Sequence, residues 1–269
     1  MKKMIFGLAA LASLATLATT VESSNTFGVL KLTSSDKETI ISVPWLKVGA
    51  SDEATGIPAN ELVLTSNLMA GDKLFAYDTS AGAYYTWTLG SDKTWETTAT
   101  TITPTTAGNK SPANVTLLRG VGLILDRCGD GWTSALLTNT PIYLYGQYAE
   151  LAAGSAKSTV ARSSEKMVTT IIAPPTTAAV DLNSVTVENG MEGDMIEVQL
   201  GTTYKFLTRN NKLTWCVKKV EGEGTTSRTY WDDDTNDPPT IPAGRGALYH
   251  ANKGTTDQTV TITWNPSQS

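Results

Sequence analysis

Several short sequence patterns occur twice in this chain, in the same order and about 120 to 130 residues apart. An apolar segment that ends in Pro lies at 41–44 and returns at 171–174, and a turn that ends in Gly-Asp lies at 67–72 and returns at 189–194. The remaining pairs are Trp95 with Trp215, the Gly-x-Gly at 120–122 with that at 244–246, and the apolar closing segment 141–148 with 259–264. The shared order predicts an internal duplication, and hence two similar units in tandem.

Each unit has the pattern of β-strands with one buried and one solvated face. The Gly-Asp turns precede alternating runs at 73–77 and 195–198, as expected for a turn that feeds a half-buried strand. Threonine, a β-branched residue, accounts for 43 of the 269 residues. Helical periodicity is weak and predicts only short helical turns near 58–64 and 181–187. We therefore expect an all-β protein of two tandem sandwich-like or small barrel-like domains.

The N-terminal segment has the composition of a secretory signal peptide. Two lysines follow Met1, an Ala- and Leu-rich apolar run covers 4–18, and small residues follow it. Cleavage is expected between Ala18 and Ser24. The predicted organisation is a signal peptide at 1–24, a first β domain at 25–149, a Ser/Ala-rich linker at 150–166 and a second β domain at 167–269. The expected location is extracellular or at the cell surface, with the periplasm left open.

This order of strand, Gly-Asp turn, Tyr- and Trp-bearing strands, Gly-x-Gly and closing strand resembles a group of uncharacterised secreted two-repeat β proteins of Verrucomicrobia and related bacteria. The likeness covers most of the chain after the N-terminal segment. The second copy departs from it, because 171–175 has no aromatic residue to match Trp45. The resemblance implies export and a β architecture, and it carries no functional residue over to this chain.

Charge and hydropathy exclude two classes of partner. Only 17% of the residues are charged and the net charge is -5, whereas nucleic-acid binding needs clustered Lys and Arg. After the N-terminal segment no apolar run approaches the ~18 residues of a membrane span, so we expect no membrane insertion of the mature chain.

The chain is not expected to be an enzyme. The single histidine, His250, rules out multi-histidine zinc sites, and the sequence contains neither a G-x-S-x-G elbow nor a C-x-x-C pair. His250 is expected to be structural, near the end of a strand. A secreted hydrolase with paired carboxylates is the least favoured of the functions considered.

The two cysteines, Cys128 and Cys216, permit two interpretations. In an exported protein an even number of cysteines is a candidate disulfide. The two positions are not equivalent in the repeats, so two separate thiols are the alternative.

One acidic cluster suggests calcium as the only cofactor to consider. Asp232, Asp234 and Asn236 have the alternate spacing with which calcium loops present oxygen ligands. The EF-hand glycine and glutamate are missing, so a solvated acidic loop is the plainer interpretation.

The seven tryptophans divide into two groups. Trp95 and Trp215 occupy equivalent positions in the repeats and are expected in the cores. Trp132 and Trp231 lie in Gly- and Asp-rich segments, where an exposed ring could stack on a sugar. They are the candidate residues for the alternative function, a module that binds cell-surface glycans.

The favoured function is a non-catalytic structural or adhesive surface protein that self-assembles. The alternating segment 26–32 is the candidate assembly strand, with Phe27, Val29, Leu30 and Leu32 as its apolar residues. Such a strand pairs either with the strand that closes the first unit or with a neighbouring molecule. Pairing between molecules would build filaments or arrays of this protein through sheet edges.

Overall fold

The structure, a computed structural model, describes residues 26–50, 55–78, 83–96, 116–148, 157–200, 203–209, 213–221, 228–232 and 240–264. Most of these residues lie in β-strands, and their strand pairings are antiparallel, which confirms the all-β prediction. None of the sheets formed by these residues closes on itself. No helix within the same ranges has the length and apolar character that a membrane crossing requires.

In the first half the described residues form ten strands and two short helices. The strands are β1 Thr26–Leu32, β2 Glu38–Ser42, β3 Ile57–Pro58, β4 Val63–Leu64, β5 Lys73–Asp78, β6 Ala83–Leu89, β7 Trp95–Glu96, β8 Thr116–Leu117, β9 Gly122–Asp126 and β10 Ile142–Tyr148, and the helices are α1 Ala59–Leu62 and α2 Ser134–Asn139. They form three sheets with the orders β2-β9-β5-β6-β7, β1-β10-β4 and β3-β8.

In the second half the described residues form eleven strands and one 3-10 turn. The strands are β11 Lys157–Arg162, β12 Val168–Ile172, β13 Val180–Asp181, β14 Thr186–Glu188, β15 Met195–Leu200, β16 Thr203–Arg209, β17 Trp215–Glu221, β18 Arg228–Asp232, β19 Thr240–Ile241, β20 Ala247–Ala251 and β21 Gln258–Thr263, and the 3-10 turn is Leu182–Ser184. The sheet orders are β12-β20-β15-β16-β17-β18, β11-β21-β14 and β13-β19.

The two halves have the same pattern of strand pairing. In each, the second strand and the next-to-last strand join the hairpin that follows the Gly-Asp turn, and the first strand pairs with the last. Strand β18 has no counterpart among the described residues of the first half. Strand β11 lies inside the segment 150–166 that composition predicts as a linker, so the second set of strands begins earlier than the expected boundary at 167.

Each half has its own hydrophobic core, and the repeated tryptophans lie within it. Trp95 belongs to the first core and Trp215 to the second, and both are buried, as expected. Each is fixed in the same way, because the backbone N–H of Trp95 donates to Asn60 Oδ1 at 2.6 Å and that of Trp215 donates to Asn183 Oδ1 at 3.0 Å. The asparagines lie in α1 and in the 3-10 turn, the short helical turns that the sequence predicts.

The Gly-Asp turns have matching geometry and a buried carboxylate. Asp72 Oδ2 accepts the N–H of Met69 at 2.9 Å, and Asp194 Oδ2 accepts the N–H of Met191 at 2.9 Å. Both aspartates are fully buried. Each aspartate therefore shapes its own turn and presents its remaining lone pairs to the interior of its half.

The halves contact each other through their Gly-x-Gly segments. Ser42 N donates to Gly244 O at 3.0 Å and Gly246 N donates to Ile40 O at 3.2 Å, so the second segment runs along the edge of β2. In the other direction, a Cβ placed on Gly122 would lie 2.2 Å from Ile171 Cγ2 in β12. The contact is reciprocal, because the Gly-x-Gly of each half lies against the second strand of the other.

Two polar side chains of the second half reinforce this contact. Gln199 Nε2 donates to Asp36 Oδ2 at 2.8 Å and to Glu38 O at 2.7 Å. The Arg245 guanidinium donates to the carbonyl of Thr33. Burial lowers the pKa of Arg245 to about 10, so its guanidinium is still charged at neutral pH.

Candidate assembly surface

Strand β1 is an edge strand that is paired along its whole length on one side. It runs antiparallel to β10, from Thr26 opposite Tyr148 to Leu32 opposite Ile142. The alternative in which this strand pairs with the strand that closes the first unit is therefore the one found. In the described residues its other side has no strand neighbour, so the backbone N–H and C=O groups on that side have no strand partner there.

Alternation along β1 separates the four predicted assembly residues into two pairs. Phe27 is 52% exposed and Val29 is 57% exposed, and both lie on the outer face with the exposed Lys31. Leu32 is buried and Leu30 is partly buried on the inner face. The outer surface of β1 is thus apolar at two positions and charged at one.

The inner face of β1 is fixed by a tryptophan that lies on two glycines. Gly28 and Gly146 are cross-strand partners in β1 and β10. A Cβ on either would fall 2.3 Å from an atom of the Trp45 side chain, so only glycine lets this indole approach the sheet. The second half adds Gly244, which packs against the side chains of Leu30 and Leu32. The inner face of β1 is therefore closely packed.

The equivalent edge strand of the second half, β11, has a different outer surface. It pairs with β21 as β1 pairs with β10. Its exposed residues are Lys157, Thr159 and Ala161, and Val160 and Arg162 are buried. A lysine and small side chains replace the large apolar groups of β1, which is how natural sheets protect an edge.

Trp132, a candidate glycan platform, is partly buried in the loop before α2. Its Nε1–H donates to Asp72 Oδ1 at 2.8 Å, and the Arg127 guanidinium carbon lies 5.2 Å from the ring centroid. One ring face is thus occupied by a cation. Arg127 is itself buried and donates to the carbonyl groups of Leu137 and Thr140 and of Ser34 and Asp36, and burial lowers its pKa.

The other residues of the predicted sites lie partly or wholly outside the described residues. Trp231 and Asp232 belong to β18, and the structure describes only their backbone pairing, with Lys218 and Val217. Asp234 and Asn236 lie outside the described ranges. Where the structure does describe side chains, it brings together no group of three or more His, Cys, Asp or Glu that could bind a metal ion.

No disulfide joins Cys128 to Cys216; the structure has two separate thiols. Cys128 is exposed in the loop after β9, and its Sγ lies 3.3 Å from the carbonyl oxygen of Gly71. Partial burial and then the neighbouring Asp126 raise the pKa of this thiol, so it stays protonated at neutral pH. Cys216 is buried in β17.

His250 lies in β20, between two polar side chains of neighbouring strands. Its Nδ1 is 2.9 Å from Thr169 Oγ1 and its Nε2 is 3.2 Å from Glu197 Oε2. His250 is the fourth of the five residues of β20, so it lies near the end of a strand, as expected.

The structure also brings together an aromatic pair that the sequence analysis missed. Tyr77 and Tyr84 are cross-strand partners at the end of the β5–β6 hairpin, with ring centroids 5.0 Å apart. They are 39% and 43% exposed, and Phe75 packs edge-on against Tyr84 with centroids 6.5 Å apart. The sequence pattern that could have predicted this aromatic surface is the alternation in β5, which places Phe75 and Tyr77 on the same face of the strand.

Comparison with known proteins identifies no relative: the chain matches no protein-family model, no curated protein and no solved structure.

Proposed function

We propose that the protein is an exported, non-catalytic structural protein of the cell surface that associates with further copies of itself through the edge of β1. The observation that carries the proposal is the outer surface of β1, where Phe27 and Val29 are each more than half exposed on a strand whose outer edge is unpaired in the described ranges. Addition of a strand at that edge would satisfy the outward backbone groups and bury both side chains.

An edge strand that stays exposed is open to unwanted pairing with other chains. Proteins protect edge strands with charges, Pro, bulges or covering segments, because open strands pair with other chains. In β1 the only charged residue is Lys31, at the C-terminal end of the exposed row. The two exposed apolar residues of β1, Phe27 and Val29, beside an open edge are instead typical of a binding surface.

The shared strand pairing of the halves supports two further proposals. An internal duplication explains why both halves have the same three sheet orders, apart from β18. A sandwich-like arrangement in each half is supported by separate sheets that enclose one core. Removal of the segment 1–24 on export would leave β1 close to the new N-terminus, and mass spectrometry of the exported protein tests that cleavage.

The self-association is tested by light scattering on the purified protein across a wide concentration range. We expect the apparent mass to rise with concentration, and a Phe27→Ser variant to stay smaller under the same conditions. Negative-stain electron microscopy of the same samples would show the size of the assemblies. A constant monomer mass at all concentrations would contradict the proposal.

A second candidate function, glycan binding, is favoured by the exposed pair Tyr77 and Tyr84. Exposed aromatic rings stack on sugar rings, and phenolic hydroxyl groups can hydrogen-bond to sugar hydroxyls. Affinity electrophoresis in gels that contain different polysaccharides tests it. Retardation that is lost in a Tyr77→Ala, Tyr84→Ala double variant would support it, and unretarded migration in all gels would argue against it.

A further inference from the structure

We infer that the assembly formed at β1 is a closed two-fold dimer, in which β1 pairs antiparallel with β1 of a second copy in a register centred on Val29. This inference rests on the proposed self-association and specifies its partner, geometry and stoichiometry. Two observations support it: the edge strands β1 and β11 differ in their exposed residues, and the apolar and charged residues of β1 follow one another in an order that fits an antiparallel pair.

Only one of the two equivalent edges is adhesive. From residue 27 onward the exposed residues of β1 are Phe27, Val29 and Lys31, whereas those of β11 are Lys157, Thr159 and Ala161. Addition of a strand to β11 would bury little apolar surface, and it would bring the partner strand close to Lys157. The gain on burial is therefore concentrated at β1.

An assembly with one adhesive edge per molecule closes at two copies. Open filaments need two different surfaces that bind each other, or two separate self-binding surfaces. A single surface that binds the same surface of a second copy makes an isologous contact. It is then buried and cannot bind a third copy. The filament expected from the sequence would require a second self-binding surface in addition to β1.

The register follows from the length of β1 and the position of its charge. In an antiparallel pair centred on Val29, all seven residues from Thr26 to Leu32 find partners, and Val29 lies opposite Val29 of the other copy. A shift to either side shortens the paired segment and leaves backbone groups without partners.

The same register places Phe27 of each copy opposite Lys31 of the other. An ammonium group beside an aromatic ring is a favourable cross-strand pair. The two lysines are then four residues apart along the sheet edge, at roughly 13 Å, which is beyond the Debye length at physiological salt. Centring on Leu30 instead would bring the lysines to roughly 7 Å and remove the pairing with Phe27.

Edge-specific lysine variants test the location and the stoichiometry. Val29→Lys places two ammonium groups opposite each other at the dimer centre, and we expect it to raise the dimer dissociation constant by about tenfold or more. The matched control is Thr159→Lys, which adds the same side chain to the exposed face of the equivalent edge. We expect this variant to dimerise like the wild type in sedimentation equilibrium.

Cysteine cross-linking in a Cys128→Ser background tests the register. With copper phenanthroline as oxidant, Val29→Cys alone should form a disulfide-linked dimer, because residue 29 faces itself across the two-fold axis. Phe27→Cys alone should cross-link poorly, and the double variant Phe27→Cys, Lys31→Cys should cross-link well.

The outcomes separate this inference from the proposed function. A wild-type dimer that Val29→Lys weakens and Thr159→Lys spares, with the expected cross-links, supports both. Assemblies larger than a dimer, equal weakening by the two lysine variants, or failure of Val29→Cys to cross-link would overturn the closed dimer and leave self-association standing. A monomer at every concentration would overturn both.

Discussion

The buried aspartate of the Gly-Asp turn has different partners in the two halves. In the second half Arg162 and Asp194 form an ion pair with side chains fully removed from solvent, at 2.9 Å and 2.7 Å for its two hydrogen bonds. Tyr249 Oη donates to the same carboxylate at 2.7 Å. In the first half the turn carboxylate of Asp72 instead accepts from N–H groups, including those of Gly129 and Trp132.

The Asp194→Asn substitution is expected to destabilise the protein by about 3–5 kcal/mol, because it leaves the Arg162 guanidinium buried without its counter-charge. Asp72→Asn keeps one acceptor oxygen but turns an amide NH2 towards the N–H donor at the other carboxylate oxygen, and it is expected to cost about 1–3 kcal/mol. Urea denaturation measures both changes in the free energy of unfolding. The exposed Asp257→Asn is the control, and an Asp194→Asn midpoint equal to that of the control would contradict the prediction.

Tyr249 makes the stability of the second half sensitive to alkaline pH. Burial, and then the nearby Asp194, raise the pKa of its phenol above the ordinary value of 10.0. Between about pH 10 and the raised value the unfolded chain has lost the proton and the folded chain has kept it, so the stabilisation present below pH 10 decreases as pH rises. The free energy of unfolding should fall more steeply between about pH 9 and 11 in the wild type than in Tyr249→Phe. Parallel slopes in the two proteins would contradict this.

The pairing of β1 with β10 depends on the fit of Trp45 over two glycines. Gly28→Ala would place a methyl group 2.3 Å from Trp45 Cη2, in the space of the indole ring, and we expect a loss of about 1–3 kcal/mol in the free energy of unfolding. The same substitution in a Trp45→Ala background should cost less, since the clash is gone. Thermal denaturation of the four proteins measures this coupling, and additive losses would contradict it.

At the scale of strands and turns, the sequence predicted those elements whose structure depends on residues that are adjacent in the chain. The Gly-Asp turns, the alternating strands after them and the single helical turns around Asn60 and Asn183 follow from neighbours in sequence. Strand β11 was missed because Ser, Ala and Lys dominate its surroundings, and what makes it a strand is β21, about 100 residues later. The apolar edge of β1 was predicted, but which of its residues face outward depends on its register with β10.

Trp132 illustrates which contacts of a loop residue cannot be predicted from its neighbours in sequence. Its sequence neighbours are Gly131 and Thr133, typical of an open loop. The atoms that fix it, the Asp72 carboxylate and the Arg127 guanidinium, come from the first turn and from the end of β9. Contacts of that kind arise from sheet order, which local patterns do not encode.

At the scale of the whole molecule, the reciprocal Gly-x-Gly contact couples two units that each have a core. Gly122→Val would push a side chain into Ile171, and we expect it to weaken this coupling by about 1–3 kcal/mol. Calorimetry should then resolve two unfolding transitions. Gln199→Ala, which removes two hydrogen bonds across the same contact, should act in the same direction. A single transition with an unchanged midpoint in both variants would contradict the prediction.

The residues at the centre of the two Gly-x-Gly segments, Val121 and Arg245, are not alike. Val121 packs against the core of its own half, whereas Arg245 reaches across to Thr33. In a symmetric pair of separate chains one gene sets both positions, so a residue that helps one side must be tolerated on the other. Covalent linkage removes that restriction. One half can then keep two exposed apolar residues on its edge strand while the equivalent edge of the other half has a lysine and small side chains. If β1 binds a second copy as proposed, point mutations at these two edges would set the number of binding surfaces per molecule.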